Sequence, residues 1–344
     1  MINNTFLDLK EVIVGKELNI PIKKVDFTFK YFFNDFFHVK QYNADADYPD
    51  IIIDKKKLEE RHEDLDGLAN TLTNFGVKVH RPDSVNKITL IQTKDYKTIM
   101  GGAGNIRDCI LIIGNNIIET PPTIRSRIQE NELTYDILYK KFHNGYSWIK
   151  APTPRLLKTR IDTNHWSNKR DFTKNLENYD IIFDAAQCLF YKDTIVINVG
   201  SYNHYLGYLW LKNVLPNMNI FYVSLTDNHI DGLLNIISDG VFLANPIYTK
   251  DYYIKCLPDI FKDFKFIFPE KSIENGEGFA TKQGMDVNVL SVNSNTVIVN
   301  DDAYNTINVL EQNKFNVIPI QMRNNQLFAG GIHCSTLELE RDIL

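Results

Sequence analysis

Apolar residues recur along this chain in short paired runs, each pair broken by a tight polar turn. Residues 110–119 read ILII-GNN-IIE, 188–199 read CLFY-KD-TIVINV, 233–244 read LLNII-SDG-VFLA and 287–300 read VNVLSV-NSN-TVIVN. Two apolar runs about Gly, Asn, Asp or Ser predict a β-hairpin. A helical pattern follows each hairpin, at 124–142, 203–215, 250–261 and 304–313. A short strand follows each helix, at 147–150, 220–224, 265–268 and 316–320. The unit ββαβ therefore repeats four times. A fifth unit assembles from both ends: 327–340 and 11–14 as its apolar strands, 55–75 as its helix and 77–80 as its last strand. Joining the two ends in one sheet closes a ring and removes its open edge; an ordinary open α/β sheet also fits the pattern. Loop-rich insertions are expected at about 16–54, 84–107, 151–183 and 269–286, punctuated by Pro152, Pro154, Gly276 and Gly278.

Composition narrows the function. The 344 residues are 44% hydrophobic and 24% charged, which suits a large buried core. Length alone suggests about two domains, but the repeat reads as one unit spanning 1–344. A net charge of −5 carries no basic excess, so nucleic acid is not an expected partner. No apolar run is long enough to span a membrane, and residues 1–9 read as neither a signal nor a transit peptide. Four cysteines, at 109, 188, 256 and 334, form no C-x-x-C pair and no metal spacing. Free thiols in a reducing cytoplasm are the expectation.

Four short stretches carry candidate chemistry. Gly330-Gly331-Ile332-His333-Cys334 places a thiol directly after two glycines at a strand tip, as a nucleophile or as a plain core cysteine. His229 and Asp231 stand two apart, so an extended backbone turns both to one face. That pairing suits a general acid/base beside a cation-binding carboxylate, or a solvated loop. Asp184, in Phe183-Asp184-Ala185-Ala186, and Asp108, after Arg107, are each a candidate site acid or an ordinary turn acid. Gly101-Gly102-Ala103-Gly104 lacks the Gly-Lys-Ser/Thr of a phosphate loop. Lys55–Lys57 reads as a solvated helix surface, and His62 and His80 show no metal spacing. In a closed ring, Asp108, Asp184, His229 and Cys334 converge on the central axis.

Taken in order, these stretches resemble the arginine:glycine amidinotransferases of the guanidine-modifying (pentein) superfamily. The resemblance runs nearly end to end. It includes Glu11-Val12-Ile13-Val14-Gly15, Arg107-Asp108 followed by IGNNIIETPPTIRSR (113–127), Phe183-Asp184-Ala185-Ala186, Tyr205-Leu206-Gly207, His229-Ile230-Asp231, Asn245-Pro246 and Gly330-Gly331-Ile332-His333-Cys334. It implies a five-bladed α/β-propeller of ββαβ modules with pseudo-fivefold symmetry, closed by the N- and C-terminal segments. It also implies Cys334 as the nucleophile on a guanidino carbon and His229 as general acid/base, oriented by Asp184. Asp108 and Asp231 would clamp the guanidinium.

The activity so implied is transfer of the amidino group of L-arginine, or a related guanidino donor, to a primary-amine acceptor. It runs through a covalent amidino-cysteine, ping-pong, with no cofactor and no metal. A hydrolase of the same superfamily and a non-catalytic guanidino-compound binder are the alternatives. Small-molecule donor and acceptor are the expected partners, and a homodimer is left open. Three positions depart from the family pattern. Gln187 stands where Asp or Asn is common, and Asn228 stands where the animal enzymes carry Met. Ile247-Tyr248 replace an Asp-Arg pair whose Arg holds the donor carboxylate. Tyr248 is therefore the expected carboxylate contact, with Lys282 or Lys250 as cationic substitutes.

Overall fold

The computed structural model describes residues 2–23, 25–32, 51–164, 170–174, 176–227, 229–274 and 278–344. Parts of the insertions expected at 16–54, 151–183 and 269–286, Gly276 among them, lie outside the described residues, as does Asn228. The class is α/β, and five three-stranded sheets share one connectivity. In each, the central strand pairs antiparallel with one neighbour and parallel with the strand that follows the helix. Thr194–Asn198, for example, runs antiparallel to Cys188–Tyr191 and parallel to Asn219–Val223. The same pattern holds about Asn116–Glu119, Val241–Ala244 and Thr296–Asn300. In the sheet made from both ends, Leu9–Val14 is central: it pairs antiparallel with Thr336–Arg341 and parallel with Lys78–His80.

The central strands Thr194–Asn198 and Thr296–Asn300 are buried at every position. A strand covered on both faces is expected to be continuously apolar rather than alternating, and this is why their sequences read as unbroken runs. The helix Lys55–Asn74 buries Leu58, Leu65, Leu68 and Leu72, a ridge at helical spacing. Asp54 caps it by accepting from the amides of Lys56 and Lys57. Apolar clusters tie neighbouring sheets together. One joins Ile13, Ile112 and Ile195; a second joins Val196 to Phe242; a third joins Leu243 to Val297; a fourth joins Ile298 to Val12 and Val14. Each sheet thus shares a core with its neighbours in chain order, and the fifth shares one with the first.

Two expected helices are corrected. The stretch 124–142 is not continuous. It opens as 3-10 turns, Arg125–Arg127 and Glu130–Thr134, and becomes α-helical only over Tyr135–His143. The side chains of Arg127 and Glu130 are drawn inward to a buried ion pair, which holds this part of the chain out of a surface helix. The stretch 250–261 is α-helical only over Lys250–Cys256, because Pro258 interrupts it. The insertions carry structure of their own: a ladder between Ile22–Lys23 and Ile51–Ile52, a hairpin of Leu90–Gln92 with Lys97–Ile99, and the short helix Lys282–Asp286. Among the described residues, no helix is long and apolar enough to cross a membrane.

Candidate active site

Cys334 lies two residues before the strand Thr336–Arg341, at the wall of a cavity of about 400 Å³. Asp108, His229 and Asp231 line the same cavity, and Asp184 stands behind His229. The glycines ahead of the cysteine are required by crowding. A Cβ at Gly330 would lie 1.9 Å from Asn105 Oδ1, and one at Gly331 would lie 2.6 Å from Asn288 Oδ1. Asn288 in turn holds the cysteine. Its Oδ1 accepts from the Cys334 amide at 3.1 Å, and its Nδ2 lies 3.2 Å from Sγ and 3.1 Å from Asp231 Oδ2. The Cys334 thiol is 3.3 Å from Asp231 Oδ2, which also accepts from His333 Nδ1 at 2.9 Å. Burial raises the thiol pKa well above its ordinary value, and Asp231 and Asp108 push it further. Asp231 itself is brought down to about 2: burial works against this, but His333, His229 and Arg107 together outweigh it.

His229 is held between two acids. Its Nε2 is 3.0 Å from Asp184 Oδ2, and its Nδ1 is 3.7 Å from Asp108 Oδ1. Phe32 packs edge-on against the ring at 5.3 Å. Burial pulls the imidazole pKa down, but Asp108 and Asp184 outweigh it and raise it to about 9. Asp184 begins a 3-10 turn as a capping box. Gln187 Oε1 accepts from the Asp184 amide at 2.8 Å, and Gln187 Nε2 donates to Asn198 O at 2.7 Å. Gln187 is therefore built into the turn that carries Asp184.

Asp108 is fixed from below. Its Oδ2 is 2.6 Å from Arg127, whose guanidinium also forks onto Glu130 at 2.6 and 2.7 Å. Its Oδ1 is buried with no hydrogen-bond partner. Burial raises its pKa. An unsatisfied carboxylate oxygen on the wall of a cavity that Asp231 also lines suits a planar donor with several N–H groups. Neither Arg127 nor Glu130 was singled out from sequence. The only signal was the R-S-R run, and nothing in it showed that the second arginine turns inward.

The structure does not bring the expected carboxylate contacts to this cavity. The Tyr248 hydroxyl donates to Leu225 O at 2.8 Å, and its ring stacks on Tyr252 at 4.5 Å. Lys282 is paired with Asp286 and, at 2.8 Å, with Asp302. Lys250 is exposed, its ammonium 5.9 Å from the Phe266 ring. None of the three lines the cavity. Among the described residues, no three His, Cys, Asp or Glu side chains are grouped to hold a metal ion.

No family model matches the chain. Curated relatives do. It is 28% identical over 349 residues to inosamine-phosphate amidinotransferase 1 of Streptomyces griseus, covering 99% of this chain and 96% of the relative. It is 26% identical over 307 residues to the L-arginine:L-lysine amidinotransferase of Pseudomonas savastanoi pv. phaseolicola, covering 87% and 82%. The solved structure of the Streptomyces griseus inosamine-phosphate amidinotransferase superimposes with a TM-score of 0.86 at 26% identity, covering 100% of this chain and 97% of that one. A dimethylarginine dimethylaminohydrolase of Pseudomonas aeruginosa, at 14% identity and a TM-score of 0.59 over 97% of this chain and 100% of its own, shares the fold.

Proposed function

The chain belongs to the amidinotransferase family, and from that premise we propose that it moves the amidino group of L-arginine, or a related guanidino donor, to a primary amine through a covalent adduct on Cys334. One observation carries this reading: a cysteine sulfur and a histidine raised toward pH 9 face one cavity between the acids Asp108 and Asp231. The donor's guanidinium lies between those two carboxylates, which accept its N–H groups and fix its carbon over Sγ. Its positive charge offsets the two acids that keep the thiol protonated, so the thiol gives its proton to solvent and the thiolate forms when donor is bound.

The thiolate adds to the guanidino carbon. His229, held by Asp184, gives its proton to the departing amine nitrogen as the C–N bond breaks. A planar amidino-thioether cation remains on Cys334. The now neutral His229 takes a proton from the acceptor amine, whose nitrogen adds to the same carbon. The C–S bond breaks with its electron pair returning to sulfur, so the guanidinium product leaves a thiolate at Cys334 and a protonated His229, ready for the next donor.

The five sheets are read as blades of one closed propeller spanning 1–344. Supporting this are the shared connectivity, the terminal sheet made from both ends of the chain, and the cores that join each sheet to its neighbours.

The test incubates enzyme and L-arginine with and without a panel of primary amines. Sustained ornithine release that requires an amine is the expected result. Citrulline formed without amine marks a hydrolase, and neither product marks a binder.

A further inference from the structure

Lys23 sits in the wall of the Cys334 cavity, at the end of the short strand Ile22–Lys23, which is anchored to Ile51–Ile52. Its ammonium lies 5.3 Å from the Phe328 ring, a side chain that is itself buried. Among the described residues, three cationic ones line this cavity: Lys23, Arg127 and His229. Arg127 is taken up by Asp108 and Glu130, and His229 is paired with Asp184. Among the described residues, no acid lies within ion-pairing distance of Lys23. The nearby Glu17 carboxylate accepts from the amide of Leu18 at 3.2 Å and packs where a Gly104 Cβ would lie 2.5 Å from Oε2. Burial lowers the pKa of Lys23; Glu17 opposes that, while Arg61 and Arg127 add to it. A half-buried ammonium without an acid partner is unfavourable until an anion meets it.

We propose that Lys23 is the subsite for an anionic group, a carboxylate or a phosphate, carried by a substrate bound at Cys334. The proposal rests on the amidino-transfer reading and extends it to the far end of the substrate. The acids Asp108 and Asp231 take the positive end of a donor. Tyr248, Lys250 and Lys282 stand away from the wall, so a negative end in this cavity has Lys23 to meet. Two sources supply the same chemistry: the donor's α-carboxylate, or an acidic group on the acceptor amine.

Equilibrium binding to the Cys334→Ala enzyme separates these sources without turnover. Two pairs of probes are compared, L-arginine against agmatine and phosphoethanolamine against ethanolamine, each with Lys23 intact and as Lys23→Met. The expected result is that Lys23→Met weakens the carboxylate- or phosphate-bearing member of at least one pair by about tenfold or more and does not weaken the partner that lacks that group. A change confined to the arginine pair assigns the donor carboxylate; one confined to the phosphoethanolamine pair assigns the acceptor side. Affinity ratios within each pair that Lys23→Met leaves unchanged in both pairs overturn the proposal. Failure of the amidino-transfer reading shows separately, as absence of ornithine from the wild-type enzyme, and leaves the binding ratios to be read as before.

Discussion

Cys334 Sγ lies 3.3 Å from Asp231 Oδ2, so the nucleophile of the proposed reaction is hydrogen-bonded to the carboxylate that the same proposal assigns to the donor. In that proposal thiol and guanidinium compete for one acceptor, and arrival of the second releases the first. Alkylation of Cys334 by iodoacetamide should therefore be slow near neutrality and still climbing above pH 9, because burial, Asp231 and Asp108 all favour the thiol. Asp231→Asn should speed it by about tenfold for each unit the thiol pKa falls, while weakening donor binding. A wild-type rate that levels off below pH 8 would remove the competition from the mechanism.

Cys334→Ala should lose turnover and keep both the fold and donor affinity, since Asp108 and Asp231 remain in place. Mass spectrometry of intact wild-type protein mixed with donor alone should show an added amidino group, absent in the variant. Normal transfer rates with no such adduct would mean that the group passes directly between donor and acceptor.

The histidine predicts a pH dependence with a definite sign. Its pKa, about 9 in the folded protein, is raised above the ordinary value of 6.5. Its contribution to stability is thus fully present below pH 6.5 and is lost as pH rises through 9. Urea denaturation should show Asp184→Asn costing most at pH 6 and progressively less toward pH 9.5. The alkaline limb of the donor half-reaction should fall near pH 9 in the wild type and move lower in Asp184→Asn. A limb that stays in place would detach Asp184 from the histidine.

Two glycines should respond in opposite directions. Gly331→Ala drives a Cβ to within 2.6 Å of Asn288 Oδ1, and Asn288 fixes both the amide and the sulfur of Cys334. A loss of about 1–3 kcal/mol in stability is expected, together with at least about a tenfold drop in kcat. Gly67, inside the helix Lys55–Asn74, has open space where a Cβ would go. Gly67→Ala should add about 0.5–1 kcal/mol with activity unchanged. Thermal denaturation and a rate assay on the same two variants check both statements.

What was legible in the sequence was local. The hairpins about Gly114 and Gly240 and the helix 55–74 announced themselves because turn residues and apolar spacing act over a few positions. The ordered motifs carried the resemblance and, with it, Cys334, His229, Asp184, Asp108 and Asp231, all five of which meet at or just behind one cavity wall. The repeat also placed the two chain ends in one sheet, but the partners of individual side chains over long sequence separations were not legible. Arg127 looked like part of a helix, yet it turns inward to hold Asp108. Gln187 looked like a departure at the site, yet its amide closes the turn beneath Asp184. Tyr248 stood at the family's arginine position, yet its hydroxyl is taken by the Leu225 carbonyl. Each of these outcomes depends on which side chains the fold brings alongside, and Lys23, inside an insertion, had no repeat to mark it.

The terminal sheet has a consequence for the timing of biosynthesis. Residues 336–341 pair with residues 9–14, and Cys334 is fixed by Asn288 just ahead of that pairing. A ribosome makes the first of these strands long before the last, so the early strand waits with one edge unpaired while more than 300 residues are added. Such a distant pairing is slow to form. On the proposed chemistry, the nascent chain holds no assembled nucleophile until residues 334–341 have been made, which sets a delay between synthesis of the first strand and reactivity.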